Sequence, residues 1–226
     1  MSTGPQALPE QTQDQAVLGV LLHSLSQPLT SLRCSLELSA EDVTGQQDAV
    51  SVALQQTDRV IAVVKLMREY LDTECAAVAQ PSVPVGPVLR NVVNDLSSMA
   101  AERQVGLRLM GGCSSTIALP EPRLRLALQY LIGVLVEQQP RHGEITLRLE
   151  QGASESELRA LVAPRDCSAA AKHDPGIATL HDVQLAIARR LLESAGASLV
   201  FGGDDHSGFL LCIPRPPRPV SAELFA

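Results

Sequence analysis

The residue best suited to chemistry in this 226-residue chain is a histidine, His23, set among leucines. Leu22 and Leu25 flank it and belong to a series of leucines spaced alternately four and three residues apart, which predicts a long amphipathic helix. His23 lies off that series, so its imidazole is expected on the outer surface of the helix. A histidine side chain is largely neutral at pH 7 and is then a competent nucleophile. Gln27 follows one helical turn later on the same side.

The other histidines and the cysteines show no spacing typical of a metal site. The remaining histidines are His142, His173, His181 and His206, and the cysteines are Cys34, Cys75, Cys113, Cys167 and Cys212. No Cys-x-x-Cys or His-x-x-x-His pair occurs among them. We therefore predict no metal and no disulfide, and interpret the cysteines as reduced, small core residues.

Composition and charge exclude several classes of protein. The formal net charge is −7, and residues 1–80 hold ten acidic against four basic side chains. With no run of Lys or Arg and only 2% aromatic residues, a nucleic-acid partner is not expected. No stretch of about 18 apolar residues occurs, and residues 1–15 do not resemble a signal peptide. We predict a cytoplasmic protein that does not contact a membrane.

Two heptad series predict a pair of helices in the first third of the chain. The first comprises Leu18, Leu22, Leu25, Leu29, Leu32 and Leu36, and the second comprises Val50, Leu54, Thr57, Ile61, Val64, Arg68 and Leu71. Pro28 lies inside the first helix and is expected to kink it. A hairpin of two helices cannot bury both apolar sides alone, so we predict a homodimer that forms a four-helix bundle.

The remainder of the chain predicts an α/β domain. Residues 76–86 are expected to form a linker, and 163–180 an irregular stretch. Helices are predicted at 87–103, 120–137 and 181–195, the last ending at Gly196. Strands are predicted at 105–109, 144–150, 157–162, 198–201 and 209–213, with 144–150 paired to 157–162 and the last two forming a hairpin.

The segment Leu21–Thr30 resembles the phospho-acceptor box of two-component histidine kinases, in which a histidine is followed five residues later by Pro-Leu, here Pro28-Leu29. Residues 121–147 are similar to the helix and strand that carry the asparagine box of the kinase ATP-binding domain, and residues 183–196 and 209–214 are similar to later elements of it. The resemblance implies an α+β fold: a helical hairpin, 14–76, forming a dimeric four-helix bundle, then a degenerate Bergerat-type α/β sandwich, 83–214.

The chain departs from the nucleotide motifs of that family. The asparagines that hold magnesium and phosphate fall at Tyr130 and Val134. The Asp-x-Gly-x-Gly motif is replaced by residues 163–167, Ala-Pro-Arg-Asp-Cys, and the Gly-x-Gly motif by residues 182–184, Asp-Val-Gln. Hard cations need oxygen ligands, and glycines let the backbone approach phosphate. We therefore predict that neither ATP nor magnesium binds, and that the receiver partner supplies its own magnesium.

The resemblance implies that His23 is the phospho-acceptor and that Gln27 orients a water for dephosphorylation. Ser24 stands where the kinases place an acid beside the histidine, which weakens autokinase activity more than phosphotransfer. The exposed positions Ser24, Ser26, Thr30 and Arg33 are expected to contact a response-regulator receiver domain, and the C-terminal domain is expected to offer a second contact surface.

The implied function is histidine phosphotransfer in a two-component phosphorelay, between His23 and a receiver Asp and without ATP. A non-catalytic pseudokinase, which sequesters a signalling partner as a dimeric scaffold, is the alternative. A third possibility, an active ATP-dependent histidine kinase, requires nucleotide motifs elsewhere in the chain.

Overall fold

The computed structural model describes residues 9–41, 46–73, 82–112, 114–152, 155–162, 180–202 and 208–214. These residues divide into two compact units. The first contains the two N-terminal helices together with residues 180–187, and the second contains the other described residues. The domain limits 14–76 and 83–214 stay a prediction, and residues 163–179 of the predicted irregular stretch lie outside the described residues.

The first unit is built on a helical hairpin, as predicted. Helix α1 spans Pro9–Glu41 and helix α2 spans Gln46–Asp72, and the two pack against each other. Pro28 is buried inside α1, and the helix continues through it. No helix among the described residues combines the length and the apolarity needed to cross a bilayer.

The contact between α1 and α2 uses only part of the leucine and valine series. Among the side chains that the structure describes, α1 buries Leu21 and Pro28, and α2 with its C-terminal turn buries Gln56, Val63, Leu66, Tyr70 and Thr73. Leu22, Leu29 and Leu36, which we call the outer stripe of α1, are exposed. All seven members of the second heptad series are exposed as well. The contact between the two helices therefore buries one side of each helix and leaves a second apolar side of each exposed.

The second part of the chain is a mixed α/β fold that begins with a short strand and a helix. The helices are α3 (Val85–Glu102), α4 (Glu121–Gln138) and α5 (Leu180–Glu193). The strands are β1 (Val83–Pro84), β2 (Gly106–Gly111), β3 (Thr116–Ile117), β4 (Glu144–Gln151), β5 (Glu155–Val162), β6 (Ser198–Phe201) and β7 (Gly208–Pro214). Residues 83–86 of the predicted linker thus form β1 and the start of α3.

Five strands form one sheet in the order β2-β4-β5-β7-β6. Strands β2 and β4 are parallel, and the other neighbours are antiparallel. The predicted pairing of β4 with β5 is confirmed, with Leu149 opposite Leu158, and so is the closing hairpin, with Phe201 opposite Phe209. The two-residue strands β1 and β3, which pair with each other, were not predicted.

Alternation along the central strands places one side of each in the core. Ile145, Leu147 and Leu149 of β4 are buried, while Arg148 and Glu150 between and beyond them are exposed. Helix α4 contributes a broad buried face, and α3 packs beside it. The predicted stop after α5 is confirmed: Gly196 has φ +80°, a left-handed conformation that glycine adopts without steric cost.

Two of the five cysteines lie among the described residues. Cys34 on α1 is exposed, Cys212 on β7 is half-buried, and both are free thiols. The interpretation of Cys34 as a core residue is wrong, because it lies on the side of α1 turned away from α2. Cys75, Cys113 and Cys167 lie outside the described residues.

Candidate functional site

The candidate site is the exposed side of α1 around His23. Leu21, two residues earlier, is completely buried against α2, and successive residues of an α-helix are about 100° apart. The His23 side chain therefore projects about 200° from the buried direction, which is away from the rest of the hairpin. His23 is exposed, in agreement with the position predicted for it.

Gln27 and Thr30 share the exposed side of α1 with His23. Gln27 is one turn from His23 and Thr30 is two turns away, and both are exposed. These side chains can be contacted together with the imidazole by one approaching surface. Ser24, which was expected to join them, is half-buried and lies nearer to the hairpin contact.

Two hydroxyl groups on this side of α1 donate hydrogen bonds to main-chain carbonyls of the same helix. The Ser26 hydroxyl donates to the carbonyl of Leu22 at 2.8 Å, and the Thr30 hydroxyl donates to the carbonyl of Ser26 at 2.9 Å. Such bonds to the carbonyl four residues back compete with the helical ladder and favour a bend. The oxygen atoms of both side chains keep lone pairs that can accept a hydrogen bond from a partner.

Pro28 affects the main chain next to His23 directly. It has no N–H, so it cannot donate to the carbonyl of Ser24, the residue that follows His23. The buried Pro28 therefore removes one hydrogen bond of the helix close to the imidazole, and α1 nevertheless continues through it.

Arg33 is the one predicted contact residue that already has an ionic partner. Its Nε lies 2.7 Å from Oε1 of Glu37, and both side chains are largely exposed. An exposed pair at this spacing contributes about 0.3–0.5 kcal/mol, so a partner's carboxylate can replace Glu37 at small cost.

A second set of positions is that at which the resemblance predicts nucleotide-binding residues. Val134 of α4 is only 2% exposed, and Val183 in the first turn of α5 is 1% exposed. Tyr130 is half-buried and has an interaction within the chain. Tyr130 and Val134 thus place a phenol and a buried aliphatic side chain where the kinase pattern has amides, and the half-buried Asp182 and Gln184 stand where it has the two glycines of Gly-x-Gly. Residues 163–167 lie outside the described residues.

Metal-ligating side chains do not cluster in the described parts of the chain. No group of three or more His, Cys, Asp and Glu side chains there could hold a metal ion. His142 and His181 are far apart in sequence and belong to different elements, the turn before β4 and the start of α5.

Comparison with known proteins shows similarity in structure alone. No protein-family model matches the sequence, and no curated protein matches it. The histidine kinase AdeS of Acinetobacter baumannii is similar over 85% of this chain and 98% of its own, with a TM-score of 0.60 and 16% identity. Full-length ShkA in complex with AMPPNP is similar over 89% of this chain and 46% of its own, with a TM-score of 0.56 and 18% identity. At these identities the likeness concerns the fold.

A bacterial phosphotransferase also aligns over 93% of this chain and 99% of its own, at 17% identity, but its TM-score of 0.46 is too low to establish a shared fold. The stronger matches agree with the architecture built up above, a helical hairpin followed by a mixed α/β domain. The chain therefore has a histidine-kinase-like fold.

Proposed function

We propose that this protein is a histidine phosphotransferase of a two-component phosphorelay, exchanging a phosphoryl group between His23 and an aspartate of a response-regulator receiver domain without ATP. The observation that carries the proposal is the exposure of His23 on the side of α1 opposite buried Leu21, within a histidine-kinase-like fold. A nucleophile that must reach a phosphoryl group on another protein has to stand on the surface.

The transfer needs one nitrogen of a neutral imidazole. Its lone pair attacks the phosphorus of the aspartyl phosphate, the N–P bond forms and the P–O bond to the carboxyl group breaks. The carboxylate leaves with the electron pair, and the other ring nitrogen keeps its proton both in this transfer and in its reversal. Because the donor is an acyl phosphate, the step requires no acid at Ser24 to activate the ring.

Gln27 is the residue of the exposed side best placed to act on the phosphorylated partner. Its amide, one turn from His23, can hold a water with its carbonyl oxygen or its NH₂ group. We assign it to loss of phosphate from the receiver rather than to the transfer itself. Ser26, Thr30 and Arg33 extend the same surface and are assigned to contact with the receiver.

The absence of ATP from the proposed reaction rests on the residues at three positions. Tyr130 and the buried Val134 stand where the kinase pattern has asparagines, and the Val134 side chain has no oxygen ligand. Asp182 adds a negative charge where phosphate is expected. Magnesium in the proposed reaction belongs to the receiver.

Dimerisation through the hairpin is part of the proposal. Leu22 lies about 100° beyond Leu21 around α1, and Val64 lies about 100° beyond Val63 around α2. Because α1 and α2 run in opposite directions, a rotation of about 100° from Leu21 in α1 and from Val63 in α2 points to the same side of the hairpin. Leu22, Leu29, Leu36, Val64 and Leu71 thus form one exposed apolar face, which a second copy would bury in a four-helix bundle.

The deciding experiment is incubation with a panel of phosphorylated receiver domains. We expect the native protein to take up an acid-labile, base-stable phosphate, and His23→Gln to take up none while its helical content and mass stay native. His142→Gln, a change at another exposed histidine, is the matched control and should accept phosphate at the native rate. Uptake by His23→Gln would place the acceptor elsewhere. Tight binding of receivers without any uptake would favour the dimeric pseudokinase scaffold.

A further inference from the structure

One face of the five-stranded sheet is turned away from the core. Its residues alternate along each strand with the buried ones, and residues opposite each other on neighbouring strands share it. We call it the outer face of the sheet. One row of it crosses all five strands and consists of Met110, Arg148, Arg159, Leu210 and Val200. Met110 and Val200 are exposed, and so is Leu161 in the next row, which leaves apolar surface open to water.

Two like-charge pairs lie side by side on the outer face. Arg148 is directly opposite Arg159, and in the neighbouring row Glu150 is directly opposite Glu157. Like charges in directly opposite positions of a sheet are destabilising. The ion pair between Arg159 and Glu157, at 2.6 Å, relieves part of this repulsion. A carboxylate above the arginines and a guanidinium above the glutamates would relieve the rest.

These rows follow a fixed order from Pro214, where β7 ends. Along β7 the row with Glu157 is two residues back from Pro214, the row with Arg159 is four back and the row with Leu161 is six back. At about 3.3 Å per residue, the rows lie about 7, 13 and 20 Å from Pro214. The outer face is therefore acidic near the end of β7, basic farther away, and presents Leu161 beyond that.

The segment that follows β7 carries complementary groups in the matching order. Residues 215–226, which lie outside the described residues, read Arg-Pro-Pro-Arg-Pro-Val-Ser-Ala-Glu-Leu-Phe-Ala. Basic Arg218 comes first, acidic Glu223 follows, and the apolar pair Leu224 and Phe225 comes last. If this segment returns along β7, opposite charges meet in two successive rows and apolar side chains meet in the third.

We propose that residues 215–226 turn back after β7 and cover the outer face, with Arg218 at the glutamate row and Glu223 at the arginine row. Arg218 is four residues beyond Pro214, and Glu223 is nine beyond it. At about 3.1 Å per residue for a proline-rich chain, they can reach about 12 and 28 Å, roughly twice the distances to their rows. The surplus length in both cases supplies the turn.

Burial of apolar groups gives the segment a reason to leave water. Docking would cover Met110, Leu161 and Val200 on the sheet together with Leu224 and Phe225 of the segment. Because the segment is attached to β7, its effective concentration at the face is about millimolar, so modest complementarity is sufficient. The chain's own segment therefore has an advantage over a free peptide of the same sequence.

Cys212 offers a direct test, because it lies on the outer face opposite Glu157 and has a free thiol. We expect N-ethylmaleimide to alkylate Cys212 about tenfold faster after deletion of residues 215–226, since in the full chain the segment must first open. Cys34 on α1 is the internal reference, and its rate should not change. Peptide mass spectrometry reads both thiols in one sample. Equal rates at Cys212 with and without the segment would overturn the proposal.

Variants of full length test the placement of the charges. Glu223→Arg should raise the alkylation rate of the thiol toward that of the deletion, because it puts a third positive charge at the arginine row. Adding Arg148→Glu should return the rate toward native. Glu102→Arg, the same charge change at an exposed glutamate of α3, is the matched control and should leave the rate native. A native rate in Glu223→Arg, or no recovery on adding Arg148→Glu, would contradict the proposed placement.

The dependence on protein concentration identifies the occupant. Protection of Cys212 by its own chain should be the same at every protein concentration. Protection that grows with concentration would assign the outer face to a second copy and overturn the proposal. Circular dichroism checks that the deletion keeps native secondary structure; if it does not, the full-length variants decide. None of these measurements depends on phosphotransfer.

Discussion

The main-chain N–H of His142 donates a 2.8 Å hydrogen bond to the carbonyl of Gln104, and both residues are left-handed, with φ 65° and 59°. The bond joins the turn after α3 to the turn after α4. A second bond, from the N–H of Gly106 to the carbonyl of Gly143 at 2.8 Å, follows immediately. Together they fix the start of the parallel register between β2 and β4.

Replacing Gln104 with glycine should stabilise the protein. A left-handed residue with a side chain costs about 1–2 kcal/mol, and part of that gain is offset by the greater freedom of glycine in the unfolded chain. We expect Gln104→Gly to raise the free energy of unfolding by about 0.5–1 kcal/mol in urea titrations. Gln104→Ala keeps the strained backbone and should give no increase; equal stabilisation by both variants would contradict the explanation.

A charge in the outer stripe of α1 should separate the protomers. Leu29→Glu would place a carboxylate in the apolar face assigned to the dimer, where burial of an unpaired charge is very costly. Light scattering should give about twice 24.1 kDa for the native protein at micromolar concentration and the monomer mass for the variant. Ser31→Glu, on the opposite side of α1, should leave the dimer intact. A native protein that is monomeric would refute the bundle.

Gln27→Ala should separate two activities that share one surface. The variant keeps the imidazole of His23, so the rate of phosphoryl acceptance should stay within about twofold of native. Loss of phosphate from the receiver should slow about tenfold or more, because a group that positions water contributes at least that much in comparable roles. The measurement is a time course of both phosphoproteins after mixing. Equal slowing of both reactions would show that Gln27 serves docking instead.

Calorimetric titration with Mg-ATP should show no saturable binding with a Kd below about 100 μM. A tighter Kd would mean more than about 5 kcal/mol of binding free energy. The Val134 side chain offers no polar atom from which that energy could come, and Asp182 and Gln184 stand where the kinase pattern has glycines. A saturable isotherm in the low micromolar range would therefore require a nucleotide site built from other residues.

The alternation and spacing of apolar residues were enough to predict most elements of the α/β domain. Strands β4 and β5 alternate cleanly because one side of each faces the core, and the turn after α5 contains Gly196, whose left-handed backbone is typical of glycine after a helix. Strands β1 and β3 have two residues each, too few for any periodicity. The order of the strands was also beyond reach, since β2 pairs in parallel with β4 across the whole of α4.

The exposure of His23 was predicted from the sequence, but the burial of its neighbours was not. The position of His23 off the leucine series predicted its exposure correctly. The half-burial of Ser24 was missed, because the spacing of the leucines does not define how wide the buried side of α1 is. The leucine series could not tell which leucines meet α2: Leu21, outside the series, is fully buried, while Leu22 within it is exposed. A leucine packs equally well against a helix of the same chain and against a helix of another copy, so its position in the series does not distinguish the two.

The burial of Val134 has an evolutionary consequence. An asparagine arising there by mutation would bury an amide without a partner in the middle of α4, which costs about 1–3 kcal/mol. That is a large share of the stability of an ordinary domain, and it would bring no benefit until several other positions had changed too. The buried face of α4 therefore makes the first of these changes destabilising on its own, so the amide could be introduced without loss of stability only together with a hydrogen-bonding partner.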